Sequence, residues 1–156
     1  RHENLISSMD DFIEQVPKAE LHLHLEGSIE PETLHELDPS TPVEEFRALY
    51  RYADFDAFLK AFGAIGKRLR TPDDYALITR RLLERLASQN VRYAEIIVSA
   101  GVVLWKEQEF APIFEAISAA AAASRAAAMF VRRVRTASNA ATKRDSFSRK
   151  GASAAS

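Results

Sequence analysis

Cysteine is absent from all 156 positions, which excludes a disulfide scaffold, a thiolate zinc site and a cysteine nucleophile together. Any metal must be held by His, Asp or Glu, and histidine is scarce: His2, His22, His24 and His35 are the whole supply. Long apolar runs are missing too. The best candidate, residues 96–105, is interrupted by Ser99 and Gly101 and falls short of the ~20 residues that a membrane-spanning helix needs. Residues 1–9 carry charge without an apolar stretch, so they do not read as a signal peptide. No membrane partner and a cytoplasmic location are the expectation. The first residue is Arg, not Met, which points to an incomplete record of the protein.

An excess of one charge is also lacking, with 21 Lys plus Arg against 22 Asp plus Glu. The whole molecule therefore has no electrostatic pull toward nucleic acid. The average hides a division. Residues 1–117 hold 13 basic and 21 acidic side chains, whereas residues 118–156 hold 8 basic and 1 acidic. Of the 39 residues in the second segment, 14 are Ala and 7 are Ser, and its large apolar residues are only Met129, Phe130, Val131, Val134 and Phe147. With so little to bury, it should be largely disordered past about Val134.

Within residues 1–117 the patterning is that of parallel α/β units. Residues 19–25, Ala-Glu-Leu-His-Leu-His-Leu, alternate with period two, as a strand with Leu21, Leu23 and Leu25 on one face and Glu20, His22 and His24 on the other. Glu26-Gly27-Ser28 ends it, with Gly27 expected to take the unusual backbone angles of a tight turn. Pro31 opens a short helix through about Leu37. Phe55, Phe58, Leu59, Phe62, Ile65 and Leu69 fall on one helical face. Thr71-Pro72-Asp73-Asp74 combines a hydroxyl cap, a first-turn proline and two acids at the positive end of a helix dipole. Tyr75, Ile78, Leu82 and Leu86 line the buried side of that helix, and Asn90 is its left-handed stop. A second strand follows at residues 92–98, and a further helix starts near Pro112. Strands separated by long helical connections form parallel sheets, and two such strands alone leave edges and faces uncovered.

His22 and His24, at i and i+2 of one strand, sit about 6.6 Å apart along the backbone. Their imidazoles can converge on one ion, and Zn²⁺ takes neutral imidazole nitrogen at about 2.0–2.1 Å. The residues around them carry a resemblance. Pro17-Lys18-Ala19-Glu20-Leu21-His22-Leu23-His24-Leu25-Glu26-Gly27-Ser28, followed by Pro31-Glu32-Thr33-Leu34, is similar to the N-terminal signature of the adenosine and adenine deaminase family. More loosely, the likeness extends over residues 9–117. It implies the N-terminal portion of a (β/α)₈ barrel, incomplete in this chain, with the site at the C-terminal ends of the strands. It implies zinc-dependent hydrolysis of the 6-amino group of a small aminopurine, whether adenosine, adenine or aminofutalosine, with release of ammonia. His22 and His24 then match the first two zinc ligands, and Glu26 and Gly27 the acid-glycine pair that faces the substrate. Glu26 stands where adenosine deaminases usually have Asp, which resembles the adenine and aminofutalosine branches.

What the signature would require further on is absent. No histidine follows His35, so the family's third zinc-binding histidine, its catalytic histidine and its proton donor have no counterpart, and no catalytic residue is assigned. The chain reads as a truncated, inactive fragment. The compositional change near Ser118 fits a coding sequence read out of frame, and translating the DNA in the other two frames should then recover a His-bearing continuation. Asp73 and Asp74 are explained by helix capping. His35 reads as a solvated surface residue, and Trp105 with Phe110 and Phe114 as core. A non-catalytic module binding nucleic acid through Arg132, Arg133, Arg135, Lys143, Arg144, Arg149 and Lys150 is the alternative of a different class. It is disfavoured because only Phe130 and Phe147 offer aromatic stacking among those charges.

Overall fold

The protein is described by a computed structural model over residues 8–124 and, for the backbone, 130–136. A short helix α1, Met9–Gln15, leads into strand β1, Lys18–His24, and a single 3-10 turn, Glu26–Ser28. Helices α2, Pro31–Leu37, α3, Val43–Leu49, α4, Phe55–Gly66, and α5, Pro72–Ser88, carry the chain back to strand β2, Val91–Val98. Helices α6, Ala100–Trp105, and α7, Phe110–Ala123, connect β2 to strand β3, Phe130–Thr136. The three strands pair in sequence order, all parallel. Strands joined through helices into a sequential parallel sheet form the repeating wall unit of an α/β barrel.

The sequence reading yields β1, β2 and the helices at 31–37, 54–69, 71–89 and from 112, but not α1, α3, α6 or β3. The expected boundary at Ser118 lies inside α7, where consecutive alanines extend a helix readily. Val131 and Val134, among the few apolar residues of the 118–156 segment, belong to β3. The disorder expected beyond about Val134 lies, from residue 137 on, outside the described residues.

α5 is the best specified element. Thr71 accepts from the backbone N–H of Asp74, and the Asp74 carboxylate accepts in return from the N–H of Thr71, which closes a capping box ahead of Pro72. At the other end Asn90 takes φ 58°, the left-handed stop that its side chain tolerates. Tyr75, Ile78, Leu82, Leu83 and Leu86 are all buried against Ala94, Ile96 and Val98 of β2 and against Ile113 and Ile117 of α7. α4 departs from its pattern. Ile65 is buried, but Phe55 is 70% and Leu59 49% exposed. Only the C-terminal half of that helix reaches the core, and an aromatic chain runs from Tyr52, ahead of the helix, through Phe55 and Phe58 to Phe62.

At the N-terminal end of β1 one ammonium organises three segments. Lys18 Nζ donates to the carbonyls of Glu14 at 3.3 Å, Val16 at 3.2 Å and Gln89 at 2.9 Å. A cation there meets the carbonyl ends of α1 and α5.

Two outcomes follow from the packing. Leu82 is 3% exposed, so Leu82→Ala should lower unfolding free energy by about 2–5 kcal/mol. Arg81→Ala should cost no more than about 1 kcal/mol, because its ion pairs with Glu36 and Glu84 are largely solvated. Urea denaturation checks both. Tyr50 donates its phenolic hydrogen to the Ile29 carbonyl. Burial, aided by the Glu30 carboxylate, raises that phenol from its ordinary 10.0 to about 12. The native state thus favours the neutral phenol, and its contribution is complete below pH 10 and lost as pH rises toward about 12. Tyr50→Phe should flatten this alkaline loss in a pH series of unfolding midpoints.

Candidate functional site

The alternation expected along β1 does not survive in the structure. Glu20 pairs with Ala94, yet Leu23 pairs with Ile96, so three steps of β1 match two of β2. The extra residue is accommodated at His22, whose φ is 61°. Such a bulge breaks the period of two and re-aims a side chain. Paired residues of a ladder share a face, so Glu20 and Leu23 fall with the buried Ala94 and Ile96, whereas His24 falls with Ile97. Leu21, expected on the core face, is 61% exposed, while Leu25 is fully buried.

The bulge still brings the two histidines together. Their ring centroids lie 5.3 Å apart with planes at 64°, edge to face, at the C-terminal end of β1. No hydrogen bond within the described residues occupies either ring. Two close neutral imidazoles suit the first two places of a divalent-metal site. Among the described residues no third His, Asp or Glu completes a group of three, so the pair fits part of a metal site and not a whole one.

Glu26 follows directly and is 1% exposed. Its Oε1 accepts from the backbone N–H of Ser99 at 2.9 Å, at the point where β2 gives way to α6. The N–H of Leu25 donates to Ile97 at 2.9 Å, carrying the ladder one step past β1. Glu26 thereby ties the ends of two strands together, and its Oε2 is buried without a hydrogen-bond partner. Gly27 corrects an expectation, since none of the described glycines has a positive φ. A β-carbon there would meet His24 Cβ at 3.8 Å and Phe62 Cε2 at 3.9 Å, which is ordinary contact. The 3-10 turn needs no special angles, so Gly27's lack of a side chain keeps space between His24 and α4 open without relieving strain.

Two further residues around Glu26 carried no functional signal in the sequence, which marked Tyr75 only as a buried helix residue. Tyr75 is fully buried with its hydroxyl unpartnered, and burial first, then the Glu26 carboxylate, pushes its phenol well above the ordinary range. Lys106 Nζ lies 5.8 Å from the Tyr75 ring centroid and donates to the carbonyls of Gly66, at 2.8 Å, and Leu69. Burial lowers its pKa, partly offset by the Glu26 and Asp74 carboxylates. An isolated lysine after α6 has no pattern that marks it in advance. His35 is exposed as expected, with Nδ1 2.9 Å from the Thr41 carbonyl, and His2 lies outside the described residues. Trp105 is 75% exposed and not core. It ends the short α6, whose one buried residue is Val103. Among the described residues no helix is long and apolar enough to cross a membrane.

Parallel strands with a histidine pair and a buried carboxylate at their C-terminal ends place this candidate site where an α/β barrel carries its own. The chain matches the adenosine deaminase family over residues 17–155. It is 35% identical to the adenine deaminase of Streptomyces coelicolor over 122 residues, covering 74% of this chain and 36% of that enzyme. Against the aminodeoxyfutalosine deaminase of Streptomyces avermitilis it is 37% identical over 98 residues, covering 58% and 27% respectively. The adenine deaminase structure from Arthrobacter aurescens superposes with a TM-score of 0.62 at 33% identity, over 68% of this chain and 35% of that one. An amidohydrolase from Burkhoderia ambifaria, solved with bound Zn, does so with a TM-score of 0.57 at 27% identity, over 70% and 32%. The chain belongs to the adenosine deaminase family, and its fold is the N-terminal portion of that (β/α)₈ barrel. It spans about a third of the length of the curated relatives it matches. The family match crosses the Ala- and Ser-rich segment as well.

The Glu26 tie is open to measurement. Glu26→Ala removes a charge-assisted acceptor from the Ser99 N–H and should cost about 1.5–3 kcal/mol, whereas Glu26→Gln keeps an acceptor and should cost less. Denaturant unfolding of the two variants side by side gives the comparison.

Proposed function

We propose that the protein is the strand-one to strand-three part of a zinc-dependent purine deaminase, which replaces a 6-amino group by an oxo group and releases ammonia. The observation that carries this reading is the bulge at His22, which gathers two imidazoles 5.3 Å apart at the strand end. His22 and His24 would hold the metal. When bound, the ion supplies the Lewis acidity that makes water a nucleophile near neutral pH.

The chain's own contribution is placement. Glu26 fixes the β1 and β2 ends through the Ser99 N–H, and its free Oε2 remains as an acceptor for a polar group of the purine. Gly27 leaves room beside His24 and Phe62 for a flat ligand. Water adds at C6, a ring nitrogen takes a proton, and the amine leaves as ammonia. Residues that move those protons have no counterpart here, since no histidine follows position 35. The glutamate at position 26 and the relatives named for adenine and aminodeoxyfutalosine support a substrate of those branches. The zinc of the Burkhoderia amidohydrolase supports the choice of metal.

Zinc titration followed by ammonia release tests the proposal. Outer-sphere changes at metal sites cost about 10–100-fold in affinity, so His22→Ala and His24→Ala should each cost at least as much. The chain alone should release no ammonia from adenine, adenosine or an aminofutalosine. Unchanged zinc affinity in the double variant overturns the metal assignment, and turnover by the chain alone overturns its inactivity.

A further inference from the structure

Helix α6 is a short strut held at both ends. It has six residues, a length of about 9 Å at the rise of an α-helix. At its start stands Ser99, whose N–H donates to Glu26 Oε1 at 2.9 Å. At its end the chain leaves through a Schellman turn. Glu107 takes φ 59°, its N–H donates to the Leu104 carbonyl at 3.0 Å, and the Gln108 N–H donates to the Val103 carbonyl at 3.1 Å. That turn sets Lys106 and Gln108 beside the segment that joins α4 to α5. Lys106 Nζ donates to the carbonyls of Gly66, at 2.8 Å, and Leu69, and Gln108 Nε2 donates to those of Leu69, at 3.2 Å, and Arg70, at 2.7 Å. Burial works against the ammonium, whereas the Glu26 and Asp74 carboxylates favour it.

α4 has need of such a hold. Its buried residues are Ala61, Ile65 and Gly66, while Phe55 at its start is 70% exposed, so packing secures one end of the helix only. Phe62 lies about one turn before Gly66. Its Cε2 stands 3.9 Å, and His24 Cβ 3.8 Å, from where a β-carbon of Gly27 would lie, so Phe62 and His24 flank the space that Gly27 leaves open. A shift at the Gly66 end of the helix moves Phe62 with it. The contacts close into a circuit. It runs from Glu26 to Ser99, along α6 to Lys106, across to Gly66, back along α4 to Phe62, and from there to Gly27, the neighbour of Glu26.

We propose that Lys106 is a positioning residue of the purine site: through the carbonyls of Gly66 and Leu69 it sets the distance of Phe62 from Gly27 and His24, and with it the fit of a flat ring, while touching neither ring nor metal. The proposal rests on the purine-site reading above and adds to it a residue that lies a helix away.

Equilibrium binding of adenine to the zinc-loaded chain, with zinc affinity measured separately, provides the test. Contact of a base with an aromatic ring accounts for roughly 5- to 150-fold in affinity, so Lys106→Met, which keeps an unbranched stem and removes its donors, should weaken adenine about tenfold. Lys106→Arg restores donors and should recover part of the loss. Zinc affinity should not change, because His22 and His24 belong to β1, which its ladder with β2 holds. Phe62→Ala should weaken adenine at least as much, and adding Lys106→Met to it should cost nothing more, since residues that act through one another are not additive. Should Lys106→Met fail to fold, Gln108→Leu carries the same comparison with a smaller loss of the same sign, and an unchanged adenine affinity there overturns the inference. Adenine bound by folded Lys106→Met as tightly as by the parent overturns it too and leaves the purine site standing. So does a zinc affinity that falls in step with adenine, or losses that add in the double variant. A parent chain that takes up zinc and binds no adenine overturns the purine site and this inference together.

Discussion

Everything at the strand ends depends on a conflict within the parallel ladder of β1 and β2. The ladder must keep Leu23 and Leu25 against the helical layer while it also delivers two imidazoles to one place. A regular strand would achieve this by alternation. Here an additional residue is absorbed at His22, in a left-handed conformation that a non-glycine residue adopts at some cost. The strain is tolerable because the ladder resumes at once, with Leu23, His24 and Leu25 all tied to β2. The neighbouring backbone over-determines the geometry.

A second layer of control comes from buried polar groups. Glu26 spends one oxygen on the Ser99 N–H and keeps the other without a partner, beside Tyr75 and within the electrostatic reach of Lys106. Lys106 also donates to the carbonyls of Gly66, at the C-terminal end of α4, and of Leu69 just beyond it. The helix bearing the aromatic chain and the helix following β2 are therefore joined through one ammonium near the strand ends. Gly27, with Phe62 of α4 nearby, sits at the centre of this arrangement.

The legible parts of the chain were those whose signals are local. Thr71, Pro72, Asp74 and Asn90 announce the limits of α5 through short-range hydrogen bonds and backbone preference, and the structure places each in that role. The Pro17-to-Ser28 signature pointed to the strand end and the family. The bulge was not legible, because Leu-His-Leu-His-Leu is a better alternating pattern than the strand the chain forms. Only the register with β2 reveals the inserted residue. β3 was missed for the opposite reason: its valines are isolated among arginines, and the strand emerges only through its parallel pairing with β2. The regular spacing on α4 promised a buried face along its whole length, but a helix is buried only as far as it has neighbours, and Phe55 lies beyond them.

Lys18 and His24 bound the same strand from opposite ends. The ammonium gathers three carbonyls from the α1 terminus and the exit of α5, while the imidazoles and Glu26 occupy the far tip. Anchorage and the candidate ligand-holding groups are thus divided along a single seven-residue segment and the turn that follows it. Selection can rewrite the residues at the tip to suit another ligand while the footing beneath them goes unaltered, which makes β1 a handle with an interchangeable head.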